Sequence, residues 1–130
     1  MGEKSTKVLL VEDDISYAQL VQMTLSRARE ALFDVERKGS LSEALNRLRE
    51  GDIDLVLLDL NLPDSGGIET FFRMSAKAQD IPVILLTGTE DEALALKAVQ
   101  MGAQAYLVKG EVNGKHLVHS ILSVIERHSK

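Results

Sequence analysis

Residues 55–67 read LVLLDLNLPDSGG. Four apolar residues lead straight into Asp59, and Asn61, Pro63 and two glycines follow. An unbroken apolar run is the pattern of a strand covered on both faces, as in a parallel sheet. A carboxylate at its end is costly unless something pairs with it. The reading of the chain therefore turns on what else converges on Asp59.

Working outward, five strands are expected: 7–12 (KVLLVE), 32–38 (LFDVERK), 54–60 (DLVLLDL), 82–87 (PVILLT) and 104–109 (QAYLVK). Four are continuous apolar runs. LFDVERK alternates, with Phe33, Val35 and Arg37 on one face, which suits an edge strand. Apolar residues recur at helical spacing between them: Tyr17, Leu20, Val21, Thr24, Leu25 and Ala28, then Leu41, Ala44, Leu45 and Leu48. Ile68, Phe71, Phe72 and Ser75 mark a third helix, and Leu117, Ile121 and Ile125 the last. The Ala-rich stretch 93–99 predicts a lightly packed fourth helix. Ser40-x-x-Glu43 and Thr89-x-x-Glu92 read as capping boxes, and Gly51 and Gly102 as C-terminal caps. Five alternations of strand and helix predict an α/β fold. It is a doubly wound five-stranded parallel sheet of order 2-1-3-4-5, flavodoxin-like (βα)5. Function in such sheets collects at the carboxyl ends of the strands.

The 130 residues fit one domain, 1–130, with a core at about 6–127. The chain has no cysteine, which excludes disulfides and thiolate metal sites and suits a cytoplasmic location. A net charge of −5 argues against direct nucleic-acid binding, and no apolar run approaches a membrane span. No signal peptide is legible.

The first strand ends in Glu12, Asp13 and Asp14, the third in Asp59, the fourth in Thr87 followed by Gly88 and Thr89, and the fifth in Lys109. Parallel strands bring all of them to one sheet edge. Crowded carboxylates repel, and a hard divalent cation relieves them. Oxygen-only ligands favour Mg²⁺ (or Mn²⁺) over zinc or copper. Asp13 and Asp59 would bind the ion directly, Glu12 directly or through a water, and the Asn61 backbone carbonyl is a further candidate. The ion, Lys109 and Thr87 would cradle phosphoryl oxygens, and Asp59 would attack phosphorus to give an aspartyl phosphate.

VLLVEDD at 8–14, DLNLPDSGG at 59–67, LLTGT at 85–89 and YLVKG at 106–110 together resemble the receiver domain of two-component response regulators. The resemblance covers about residues 6–127. It implies that Glu12 and Asp13 are the acidic pair, Asp59 the phosphoacceptor, Thr87 the switch hydroxyl, Tyr106 the switch aromatic and Lys109 the family's lysine. Asn61 and Thr89 match positions that tune phosphoryl lifetime. It further implies a histidine kinase or histidine phosphotransfer protein as donor, and a downstream effector protein or fused output domain as reader. The reader would sense the face made by the fourth helix, fifth strand and fifth helix. Such a module is not an enzyme beyond promoting its own phosphorylation and dephosphorylation. One residue departs from the family pattern: Gly110 stands where proline is common. A cis Lys109–Gly110 bond would cost about 2.5–4 kcal/mol, against about 0.5–1 before proline. A cis bond and a rebuilt trans loop both remain open.

Blander readings compete. Asp14 serves equally as a helix cap or a metal ligand. Asp64 and Ser65 read as turn formers, Gly66 and Gly67 as serving backbone geometry before the third helix, and Asp52 and Asp54 as surface charges. Tyr106 is also readable as a packed aromatic. His116, His119 and His128 read as surface residues of the last helix. Apolar residues of that helix serve either the core or a phosphorylation-dependent dimer. Competing functions are a haloacid-dehalogenase-like aspartyl-phosphate phosphatase, a flavodoxin-type flavin module and a receiver that binds partners unphosphorylated. The first wants an Asp at position 61, where Asn stands. The second wants a phosphate loop where EDDIS stands.

Overall fold

The computed structural model describes residues 5–128. Five parallel strands form the central sheet: β1 (Ser5–Val11), β2 (Leu32–Lys38), β3 (Leu55–Asp59), β4 (Val83–Thr87) and β5 (Ala105–Val108). They lie in the order β2-β1-β3-β4-β5, as the sequence pattern predicts. Five helices intervene: α1 (Ile15–Ser26), α2 (Leu41–Leu48), α3 (Ile68–Lys77), α4 (Glu92–Gln100) and α5 (Gly114–His128). No helix among the described residues is long and apolar enough to cross a membrane.

The continuous apolar runs are explained by two core layers. Successive strand residues point to opposite faces. Leu9, Val11, Val56, Leu58 and Leu85 meet α2, α3 and α4 on one face. Val8, Leu10, Leu55, Leu57, Ile84 and Leu86 meet α1 and α5 on the other. Each fully buried leucine contributes roughly 1.5–3 kcal/mol of hydrophobic stabilisation. β2 pairs only with β1, so the alternating strand is indeed the edge. Leu117, Val118, Ile121 and Val124 of α5 are spent on the core.

Several local expectations shift. On α3 the buried residues are Thr70, Phe71 and Met74, while Phe72 is 39% exposed. Burial of Thr70 is tolerated because its hydroxyl bonds the Leu60 carbonyl at 3.1 Å. α4 buries only Ala95 and Ala98, and it leaves Leu94 and Leu96 exposed, consistent with light packing. Thr89 does not cap α4. Residues Thr89–Asp91 form a 3₁₀ turn, and the helix begins at Glu92. Ser40 does cap α2, accepting from the Glu43 amide, while the Glu43 carboxylate reaches past Ser40 to the Gly39 amide. Gly102, at φ +127°, closes α4: its amide bonds the Val99 carbonyl and that of Ala103 bonds Ala98.

Asp64 is more than a turn former. Its two carboxylate oxygens accept from the Leu41 and Ser42 amides at 2.8 and 2.9 Å, so it caps α2 from a distant loop. Those backbone donors hold the Asp64 carboxyl below its usual value of 3.8. A depressed folded pKa gives stability that is present above the ordinary value and is lost as pH falls through the lowered one. Asp64→Ala is expected to cost about 1 kcal/mol at neutral pH. Urea unfolding should show the difference shrinking towards strongly acidic pH.

Candidate functional site

Register carries the site. Val11 pairs with Leu58, so Glu12 stands level with Asp59. Asp59 pairs with Leu86, which places Thr87 one step beyond it on the neighbouring strand. Thr87 pairs with Val108, and the Lys109 amide continues the ladder to the Thr87 carbonyl at 2.8 Å. The sheet thus delivers Glu12, Asp59, Thr87 and Lys109 to one edge.

Lys109 bridges the carboxylates. Its Nζ lies 2.5 Å from Glu12 Oε1 and 2.9 Å from Asp59 Oδ2. Glu12 is 1% exposed and Asp59 7%. Glu12 Oε1 nevertheless lacks a well-aligned hydrogen bond, because the short lysine contact is poorly directed. Burial pushes the Glu12 carboxyl up, Lys109 works against that, and the charge of Asp59 adds to it. Burial pulls the Lys109 ammonium down, but its bonds to Glu12 and Asp59 prevail and the net shift is upward.

Carboxylate oxygens of Glu12, Asp13 and Asp59 lie within 4.8 Å of one another. Asp13 is exposed and opens the cluster to solvent. Three convergent oxygen donors, one buried and poorly satisfied, fit a hard divalent cation such as Mg²⁺. Asp14 is accounted for as the α1 cap: its Oδ1 accepts from the Tyr17 amide at 3.1 Å.

The remaining candidates separate. Asn61 donates its amide N–H to Asp59 Oδ1 at 2.9 Å, and its side-chain nitrogen bonds Asp91 Oδ2. Thr87 is buried, and its hydroxyl donates to the Gly88 carbonyl at 3.1 Å. Thr89 stands exposed at the start of the 3₁₀ turn. Tyr106 is half-buried against the core and donates its hydroxyl to Glu92 Oε2 at 2.9 Å, tying β5 to the start of α4. Among the described residues there is no cis peptide, so the Lys109–Gly110 bond is trans. Gly110 takes φ +87°, a conformation that glycine adopts freely. The rebuilt loop still delivers the lysine. His116, His119 and His128 are exposed on α5.

Three contributors escape the sequence reading. The Tyr17 ring lies beneath the Lys109 ammonium, 4.7 Å from its centroid. Arg37 holds the acidic loop by its backbone, donating to the carbonyls of Glu12 and Asp13 at 2.8 and 3.2 Å. Asp91 holds the Asn61 side chain. Tyr17 and Arg37 carry a legible signal, since each lies next to the acidic loop in any β-α-β arrangement. Asp91 carries none, because its contact crosses between two loops.

Known proteins share this fold. A family model described as the response regulator receiver domain matches residues 8–122. The swarming motility regulation protein RssB of Serratia marcescens is 36% identical over 103 residues, 78% of this chain and 45% of that protein. The transcriptional regulatory protein ResD of Bacillus subtilis (strain 168) is 30% identical over 125 residues, 96% of this chain and 50% of that protein. The chain therefore spans about half the length of these curated relatives. A receiver domain structure from Clostridium thermocellum superposes with a TM-score of 0.84 at 27% identity, covering 95% of this chain and 97% of that one. A CheY-like receiver from Methanospirillum hungatei gives a TM-score of 0.80 at 25% identity, covering 97% and 98%. None of these matches favours the phosphatase or flavin alternatives.

Proposed function

Because the chain belongs to the response regulator receiver domain family, we propose that it is a phosphorylation-controlled signalling module with Asp59 as acceptor. The observation that carries this is the Lys109 ammonium on Asp59 Oδ2, beside three convergent carboxylates at the sheet's carboxyl edge.

Glu12, Asp13, Asp59 and the Asn61 carbonyl would hold Mg²⁺. When bound, the ion supplies positive charge for phosphoryl oxygens. The chain's own residues do the rest. An Asp59 carboxylate oxygen forms the bond to phosphorus as the phosphorus–nitrogen bond of a phosphohistidine breaks, and the departing imidazole takes a proton. Lys109 orients Asp59 and balances the incoming charge. Thr87 gives up the Gly88 carbonyl to donate to the phosphoryl group. Tyr106 then leaves Glu92 and turns towards the space behind Thr87. The face of α4, β5 and α5 shifts population between two states, which a partner reads.

The donor is a histidine kinase or phosphotransfer protein, and the reader an effector protein or fused output domain. A cytoplasmic location belongs to the same proposal. Acetyl phosphate tests it with and without Mg²⁺, followed by intact mass spectrometry and peptide mapping. We expect one Mg²⁺-dependent phosphoryl group on the peptide containing Asp59. Folded protein that binds Mg²⁺ and gains no mass would point instead to a receiver that works unphosphorylated.

A further inference from the structure

Asp91 occupies the residue before α4, where an aspartate ordinarily caps the helix. Its side chain makes no bond to the helix amides. The carboxylate is directed across to the Asn61 side-chain nitrogen instead. A carboxylate only accepts, so this bond fixes which end of the Asn61 amide faces α4. The other end, Oδ1, lies on the Gly66 side, where even a methyl group on Gly66 would approach it to only 3.8 Å. Asn61 is also held through its backbone, whose N–H donates to Asp59 Oδ1. The residue next but one to the acceptor is thus held once through its backbone and once through its side chain, and the second hold is on a different loop.

We propose that Asp91 is a positioning residue for the acceptor site: it holds the Asn61 carboxamide as a fixed wall beside Asp59 and so slows hydrolysis of the phosphoryl group. This rests on Asp59 being the acceptor. In hydrolysis a water oxygen bonds phosphorus, the bond from phosphorus to the Asp59 oxygen breaks and returns Asp59 to its carboxylate, and phosphate leaves with both of the water's protons, one of which passes to solvent. A fixed carboxamide narrows the approach of that water. A freed one swings aside, because an exposed asparagine held by no partner samples several rotamers.

The Glu92 bond to Tyr106 lies one residue further on. Adjacent carboxylates therefore tie the start of α4 to the acceptor loop and to β5. Removing Asp91 loosens one tie and leaves the other. The α4 core contacts, through Ala95 and Ala98, are untouched.

The test is a double-mutant cycle read by phosphoryl half-life. Protein is loaded with acetyl phosphate and Mg²⁺, freed of donor, and followed by intact mass. Asp91→Ala is expected to shorten the half-life by about threefold or more, the scale of coupled neighbours. Asp91→Asn, whose side-chain oxygen still accepts from Asn61, should restore most of it. In an Asn61→Ala background the Asp91→Ala change should have no effect. In parallel, side-chain amide NMR of the unphosphorylated protein should show the Asn61 resonances shifted and protected, and Asp91→Ala should release them. An unchanged half-life, an equal change in the Asn61→Ala background, or free Asn61 resonances in the wild type would each overturn the inference while leaving Asp59 as acceptor. A wild type that takes up no phosphoryl group would overturn both.

Discussion

Asp59→Asn is expected to take up no phosphoryl group from acetyl phosphate, with or without Mg²⁺, while remaining folded. The amide nitrogen is delocalised and the oxygen carries no full charge, so the proposed nucleophile is gone. The cluster also loses one of its three convergent carboxylates, which weakens the hold on a divalent ion. Stability should move the other way. The Asp59 charge is one cause of the raised Glu12 carboxyl, so neutralising it relieves repulsion at a buried site. Without divalent ions, urea unfolding should find the variant as stable as the wild type or firmer by up to about 1 kcal/mol. On the proposed reading Mg²⁺ should stabilise the wild type, since the cluster that would hold it forms only in the folded state, and do little for the variant. Unfolding of the variant would instead mean that the Asp59–Lys109 pair holds the sheet edge together. An adduct at the wild-type level would place the acceptor elsewhere.

The fold was legible because its signals are redundant. Five strands and the helices between them repeat one pattern, and the alternating LFDVERK betrays the edge. Topology then delivered Glu12, Asp59, Thr87 and Lys109 to one place without further information, since consecutive registers align them. What stayed illegible depends on single side-chain choices. The Thr89-x-x-Glu92 pattern looks like a capping box, yet the chain spends one more turn as a 3₁₀ segment before α4 starts. Phe72 has the spacing of a core residue, but Thr70, paid for by the Leu60 carbonyl, takes the buried position. The Gly110 loop could be read either way from sequence. A positive φ lets glycine carry the lysine on a trans bond. Cross-loop contacts such as Asp91 with Asn61 and Asp64 with α2 leave no local trace, because their partners lie far apart in the chain.

Lys109→Met is expected to damage both chemistry and stability, and pH separates the two. Methionine keeps an unbranched side chain and removes the ammonium that lies over Tyr17 and pairs with Glu12 and Asp59. Breaking one partner out of a buried ion pair costs about 3–5 kcal/mol. The lysine side chain here is 23% exposed, so water softens the loss to about 2–3 kcal/mol at neutral pH without divalent ions. Glu12 sets the pH dependence. Its folded carboxyl already lies above the ordinary 4.5, chiefly through burial, and Lys109 opposes that shift. Removing the lysine raises it further. A raised folded pKa means stability that is fully present below the ordinary value and lost as pH rises through the folded one. The deficit of Lys109→Met should therefore be small near pH 4 and grow as pH rises through the elevated Glu12 value. Mg²⁺ should recover part of it by supplying the missing positive charge. Phosphoryl uptake should fall even where stability is recovered, because the ion does not replace the group that orients Asp59 Oδ2. A deficit independent of pH would mean that the ammonium's contact with the Tyr17 ring matters more than its pairing with Glu12.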